Sequence, residues 1–320
     1  MMLLLACADE SGGPAAQDYD VDLRLGAGDY DDPGADGMVI VGPDVVVGAG
    51  EDKMFCLVGT YAGDDMGVHD LITYQNTFGH HLVLMGMTAT ELDHPDGEIF
   101  ECTTNDQYDM TDLEPIVLPT AGFVDGVRNE SEIQVPDGTA VKLDAGQRWL
   151  LQAHYLNTGV ESFRAQDVAV FTFLDPDTEV DTWAAPFVLN KDDFSLPPGE
   201  ATTASFDCTF DDMDEPWSAL YLNAHMHEWG TSFGLTRTRA GATESVIDIP
   251  TWDPYFRDAP PTEYYEPGSF TIEPGDTFTT TCNWYNDTDE TIEFPHEMCD
   301  SVGLVYPQLN TVICDAGEVE

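Results

Sequence analysis

The residues with the clearest capacity for chemistry are the eight histidines, His69, His80, His81, His94, His154, His225, His227 and His296. A neutral imidazole is the commonest side-chain ligand for a transition metal. In Ala224-His225-Met226-His227 the i, i+2 spacing, set on a strand, turns both rings to one face as two ligands of one ion. His80 and His81 are adjacent, and neighbours on a regular strand point to opposite faces. Both reach one ion only at a twist, a bulge or a strand end; the bland alternative is one buried, hydrogen-bonded ring and one exposed. His154, in Leu150-Leu151-Gln152-Ala153-His154-Tyr155, shares a strand face with Leu150 and Gln152 and by itself reads as a satisfied core histidine. Met298, in Glu297-Met298-Cys299, reads alone as core, whereas beside histidines its thioether is a soft ligand. His69, His94 and His296 read as surface histidines near turns. His296 lies two residues before Met298, so a strand there would aim both at one face.

These side chains need a scaffold, and the pattern points to strands. Short apolar stretches such as Met38-Val39-Ile40-Val41, Val168–Phe173 and Ser301–Tyr306 alternate with Pro, Gly and Asp turns, and long stretches of helical period are absent. With 28 Gly and 20 Pro breaking the pattern, an all-β fold of sandwich type is expected. An internal repeat divides it. Val47-Gly48-Ala49-Gly50-Glu51 leads to Cys56 as Leu196-Pro197-Pro198-Gly199-Glu200 leads to Cys208. Leu143-Asp144-Ala145-Gly146-Gln147 precedes a strand to Tyr155 as Ile272-Glu273-Pro274-Gly275-Asp276 precedes one to Tyr285. Two related sandwiches explain this better than one. The expected divisions are 1–37, a clipped signal and acidic tether; 38–174, a first sandwich; and 175–320, a second.

Composition narrows the partners. Ten Lys and Arg stand against 61 Asp and Glu, a net charge of −51, which excludes nucleic acid, whose binding depends on cations that neutralise phosphates. Only three of the cations are lysine, and such a surface suits secretion into a saline medium, where ions screen its self-repulsion. The opening Leu4-Leu5-Ala6-Cys7 resembles the lipobox of bacterial lipoproteins, which implies lipidation of Cys7 and a membrane tether through it. The six remaining cysteines fit an oxidising compartment. If the halves fold separately, Cys56 pairs with Cys102, and the other four, Cys208, Cys282, Cys299 and Cys314, allow three pairings.

Taken in order, the motifs resemble those of the type II copper, ascorbate-dependent monooxygenases, the family of peptidylglycine α-hydroxylating and dopamine β-monooxygenases. Phe78-Gly79-His80-His81-Leu82 is similar to that family's H-H-M segment, and Leu151-Gln152-Ala153-His154-Tyr155 to its L-Q-x-H-Y segment. His225-Met226-His227 is similar to its H-x-H pair, and Glu297-Met298-Cys299 to its E-M-C segment. The likeness runs from about residue 38 to 315. It implies two tandem antiparallel, jelly-roll-like β-sandwiches with a cleft between them, disulfides Cys208–Cys314 and Cys282–Cys299, and two copper ions per chain. One copper would be held by His80, His81 and His154 for electron transfer. The other would be held by His225, His227 and Met298, where O₂ is used to hydroxylate a C–H bond of a small organic substrate. Ascorbate or another one-electron reductant would be the co-substrate.

The substrate is less legible. The family's peptide hydroxylases use an arginine two residues before the H-x-H pair, and Asn223 stands there, which argues against a peptide carboxylate as ligand. Asp300 is a candidate partner for an amine, and Trp229, Trp252 and Tyr255 read as packing of the second core or as a cleft lining. Two other functions compete: a non-catalytic copper-binding lipoprotein, and a zinc hydrolase using Glu228 as base, a residue that a strand would face away from His225 and His227. The expected location is extracytoplasmic, secreted or lipid-anchored at a bacterial cell envelope.

Overall fold

The computed structural model describes residues 19–319 apart from 88–93, 103–112, 118–128, 176, 258 and 295, with the backbone alone at 80, 113–117 and 129–132. Cys7 and the first part of the expected tether, up to residue 18, lie outside the described residues. The rest is not all free chain, because Val21–Asp22 pairs in parallel with Phe163–Arg164 and Leu23 N and Leu25 N donate to Arg164 O and Gln166 O. The fold is all-β, built from two sandwiches. In the first, a five-stranded sheet runs in the order Ile99–Glu101, Asp52–Thr60, Arg148–Leu156, Gly79–Met87, Leu113–Val117. It faces a sheet in which Gly37–Val41, Val168–Phe173, Met66–Gln75 and Thr139–Leu143 are neighbours. In the second, the four-stranded sheet Ala201–Phe210, Asp276–Tyr285, Gly230–Arg239, Ala242–Ile249 faces Thr182–Asn190, Ser301–Tyr306, Trp217–Asn223 and Thr262–Tyr264.

Alternation makes these layers. Asp276–Tyr285 buries every second residue, so Phe278, Thr280, Cys282 and Trp284 point inward while threonines face out. The first core gathers Leu82, Leu84, Leu151, Ala153 and Tyr155 from one sheet against Ile40, Leu71, Val141 and Phe171 from the other. The second does the same with Phe206, Phe233, Phe278 and Trp284 against Phe187, Leu189 and Leu222. One layer of each sandwich is continuous with its counterpart, because Thr139, Ala140 and Val141 pair in parallel with Thr182, Trp183 and Ala184.

The repeat expected from the turns is present in hydrogen bonds the turns alone did not disclose. Asn157 donates from its backbone to Glu51 O (2.9 Å), and Asn286 does so to Glu200 O (3.1 Å). The Asn157 amide donates to Val47 O and Glu161 O while its Oδ1 accepts from Gly159 N. The Asn286 amide donates to Leu196 O and Glu290 O while its Oδ1 accepts from Thr288 N. Each asparagine thus ties the end of its strand to the turn that opened its sandwich. The turn glycines Gly50 and Gly199 have φ of 73° and 69°, a conformation that side-chain-bearing residues avoid.

Two further features shape the site region. His154 pairs with His81 but Tyr155 pairs with Gly79, so His80 is an extra residue, a β-bulge. The second sandwich repeats it: Trp284 pairs with Gly230 and Asn283 with Ser232, leaving Thr231 extra. Three disulfides close the fold: Cys56–Cys102, Cys208–Cys314 and Cys282–Cys299. The first is the pairing expected of halves that fold separately and the other two are those implied by the family resemblance; together they mark an oxidising, extracytoplasmic setting.

Beneath the first bulge lies a buried polar group. Asp167 is wholly buried and accepts hydrogen bonds from Asn76 N (3.1 Å), Asn76 Nδ2 (2.9 Å) and Gln75 Nε2 (3.2 Å). Burial outweighs these bonds and pushes its pKa from 3.8 up to about 6. A carboxyl that holds its proton more tightly when folded adds stability that is complete below the unfolded value and lost as pH rises through the folded one. The window is therefore pH 3.8 to about 6, and the loss is about 3 kcal/mol at 1.36 kcal/mol per unit. In Asp167→Asn that loss should vanish, because an amide does not titrate, and the fold should tolerate the change because Gln75 can turn its unpartnered Oε1 to the new amide. Denaturant unfolding of both proteins at pH 4 and 7 checks this, and parallel pH profiles would refute it.

Candidate metal centres

The first histidine set lies on the face of the five-stranded sheet turned away from the main core. Leu151, Ala153 and Tyr155 enter that core, whereas Leu150 packs with Cys56, Cys102, Met85 and Met87 on the other side. His154 follows Leu150 and Gln152 on this outer side, so it is not a main-core histidine. His81 sits directly across from it. Their ring centroids are 4.8 Å apart at 62°, and both residues are buried, at 8% and 1% exposure. His81 Nε2 meets Gln152 Oε1 at 3.0 Å, and His154 Nε2 is hydrogen-bonded to Asp52 Oδ1. Carbonyl and carboxylate partners of this kind fix the orientation of a ligating imidazole. The bulge at His80 supplies the irregularity that two adjacent histidines need; its side chain lies outside the described atoms.

The second set is built where the strand Trp217–Asn223 ends. The expected strand does not run through His225 and His227; a single bridge, with His225 N donating to Asp300 O (2.8 Å) and Asp300 N to His225 O (3.0 Å), carries the alternation beyond it. Ala224 and Met226 are fully buried, while the rings of His225 and His227 stand with centroids 5.1 Å apart. The decisive local group is Glu297, 0% exposed. Its Oε1 accepts from both His227 N and Met298 N (2.9 Å for the latter), and its Oε2 accepts from Trp229 N (3.2 Å). Burial lifts its pKa to about 7, against the pull of those three N–H groups. One carboxylate therefore holds the H-x-H turn and the methionine segment together.

Neighbours complete the frame. His227 Nδ1 donates to His296 O (2.9 Å), and Trp252 Nε1 donates to His227 O (2.9 Å). His296 thus contributes its backbone carbonyl, and its ring is exposed. Trp252 is core, Trp229 packs against the core, and Tyr255 is exposed at 39%. Glu228 is exposed and pairs with Arg257 at 3.2 Å, away from a role as metal-site base. Asn223 is buried, with its Oδ1 accepting Val302 N at 3.0 Å, so it serves the sheet. Asp300 Oδ1 is sealed from solvent without a hydrogen-bond partner. Burial, with Asp315, Glu297 and Asp192 nearby, raises its pKa well above the carboxylate range, which favours a neutral acid over a counter-ion for an amine.

Two minor expectations change. His69 lies inside the strand Met66–Gln75, its Nδ1 3.0 Å from Asp70 Oδ1, rather than at a turn. His94 is stacked on Phe100 at 4.2 Å and meets Glu98 Oε2 at 3.0 Å. Among the described residues, no three His, Cys, Asp or Glu side chains converge as a metal site. The geometry supplies a histidine pair in each sandwich, with the His80 bulge beside one and Met298 beside the other.

No protein-family model matches the chain, and no curated protein matches it. Its likeness is to solved all-β structures. PNGase F, a glycosylasparaginase from Flavobacterium meningosepticum, aligns at 12% identity and a TM-score of 0.39 over 89% of this chain and 98% of that one. The VP2 subviral particle of infectious bursal disease virus aligns at 10% identity and a TM-score of 0.20 over 86% of this chain and 72% of that one. Neither likeness bears on function.

The Cys282–Cys299 link, adjacent to Met298, closes a loop of sequence separation 17. Replacing both cysteines by alanine should cost about 3 kcal/mol of stability by the loop-entropy relation. It should also speed hydrogen exchange at the Met298 amide. Unchanged exchange there would mean that Glu297 alone secures the segment.

Proposed function

We propose that the chain is a copper-dependent monooxygenase of the ascorbate-using, type II copper kind, hydroxylating a C–H bond of a small organic substrate. The observation that carries this reading is the shared Glu297 Oε1. Through it His227 and Met298, far apart in sequence, are held side by side, with the His225 ring next to that of His227. A pair of imidazoles and a thioether is a donor set suited to Cu(I), the state that must meet O₂. His81 and His154, with His80 on the bulge, form an all-imidazole set that suits copper in either oxidation state.

When bound, copper would supply the redox chemistry by which one atom of O₂ enters the C–H bond and the other leaves as water, with two electrons and two protons taken up. The chain's residues do the rest. Asp52 and Gln152 orient the first pair of imidazoles, Glu297 fixes His227 against Met298, and the His296 carbonyl sets the His227 tautomer by accepting from Nδ1. The reductant is ascorbate or an equivalent one-electron donor, and the protein acts outside a bacterial cytoplasmic membrane, secreted or tethered through Cys7.

Anaerobic loading with Cu(I) followed by desalting tests this. The wild type should retain about two coppers per chain, and His225→Ala and His154→Ala about one each, as separate sites require. The loaded wild type should then consume O₂ with ascorbate and an accepted substrate, and His225→Ala should not. One copper or none in the wild type would refute the two-copper reading, whereas two coppers with no ascorbate-dependent product from a broad substrate screen would favour a copper-binding lipoprotein.

A further inference from the structure

The turns Asn76–Gly79 and His227–Gly230 are one structure made twice. In each, the glycine N–H returns to the carbonyl three residues earlier, Gly79 to Asn76 at 3.0 Å and Gly230 to His227 at 3.4 Å. Each glycine is followed by the bulged residue, His80 or Thr231. In each, the first turn residue gives its N–H to a fully buried carboxylate, Asp167 Oδ1 for Asn76 and Glu297 Oε1 for His227. The second carboxylate holds a turn that itself bears a candidate ligand. The first holds a turn that bears none but leads straight into a pair of them.

We propose that Asp167 is the positioning residue of the first histidine set, holding the Asn76 turn so that His80 and His81 enter their strand on a bulge opposite His154. The copper reading enters only in what those histidines bind. Every link is a contact. Asp167 Oδ1 takes the backbone and side-chain N–H groups of Asn76, and Asn76 Oδ1 then takes Phe78 N at 2.8 Å. Phe78 O accepts from Leu156 N at 3.2 Å, and its ring stacks on Phe163 at 4.9 Å. That places the turn against the strand of His154. Asp167 Oδ2 meanwhile takes Gln75 Nε2, and Gln75 so placed fills the space over Gly79, where a Cβ would lie 2.7 Å from Gln75 Cβ and Nε2. Only glycine passes there, so Gly79 pairs with Tyr155 and the chain must absorb His80 before His81 meets His154.

An inert core carboxylate would affect stability alone, so the test needs a readout at the histidine rings. In metal-free protein, ring ¹⁵N and ¹H resonances of His81 and His154 should shift in Asp167→Ala, which removes every acceptor that Asn76 and Gln75 use, while those of His225 and His227 stay in place. Gly79→Ala, which pushes on Gln75 from the other side with Asp167 intact, should move the same two and serves if Asp167→Ala folds poorly. With copper, Asp167→Ala on a His225→Ala background should lower affinity by about tenfold or more, the range seen when outer partners of ligands are lost, and alter the Cu(II) electron paramagnetic resonance spectrum. On a His154→Ala background it should change neither. Unmoved His81 and His154 resonances, or all four histidines shifting alike, would overturn the inference. A wild type that takes up no copper while those two resonances move would remove the copper reading and leave the positioning role standing.

Discussion

A carboxylate taken out of water loses several kcal/mol of hydration, and the interior tolerates it only where directed hydrogen bonds replace the lost water. Asp167 and Glu297 meet that condition in the same way, each surrounded by N–H donors from a turn at the end of a strand. Both titrate above the ordinary carboxylate range because burial outweighs those donors. The turns cannot unwind without leaving such a group unsatisfied, and on these turns depend the bulge before His81 and the approach of Met298 to His227. Sheet packing makes the sandwiches; these two side chains decide where their histidines emerge.

Much of this was legible in the sequence, for physical reasons. Strands announce themselves by period-two burial, as in Asp276–Tyr285, and turn glycines such as Gly50 and Gly199 announce the repeat because few other residues adopt their φ. Cys56–Cys102 follows from two halves that fold separately, and the family likeness implies Cys208–Cys314 and Cys282–Cys299; the structure has all three. What stayed hidden was the support. Asp167 is one of 61 acidic residues, and nothing local separates a carboxylate bound by Asn76 from one that faces solvent. Asn157 and Asn286 are hidden likewise, because the carbonyls of Val47 and Leu196 that tie them to their turns lie about a hundred residues away in the chain. The strand assigned to His225 and His227 stopped at Asn223; alternation of burial persisted without a ladder, a distinction that periodicity cannot make.

The charge balance acts on a different scale. The few cations are placed in contact with carboxylates: Arg164 with Asp44, Arg239 with Asp276 and Glu273, Arg237 with Glu244, Lys53 with Glu101. Of these partners only Asp276 is buried, and its carboxyl sits below the usual range, its burial outweighed by hydrogen bonds from Arg239 and the Glu273 backbone. The others are half-buried or exposed at one or both partners, so solvent and salt weaken them. At high ionic strength the fold therefore depends on the disulfides and the two cores, and the net charge of −51 governs solubility rather than architecture.

The repeat also bears on how two unlike sites arise from like sandwiches. Counting back from the turn glycines, Tyr74 and Asn76 occupy the first sandwich's places for His225 and His227; across the bulges, Thr231, Ser232 and Asn283 occupy the second's places for His80, His81 and His154. Asn283 Nδ2 there donates to Ser232 Oγ at 3.0 Å, a neutral hydrogen bond where the first sandwich sets His154 against His81. Each sandwich thus keeps polar residues at both places and puts imidazoles at only one. The bulge place is confined between two paired strands, which limits how far its histidines can move. The strand-exit place ends a ladder and borrows a methionine from a separate, disulfide-linked segment. Rigid surroundings would suit a centre that only passes electrons, and an open strand end one that must also admit O₂ and a substrate, so the place of each set in the repeat accords with the division of labour proposed for them.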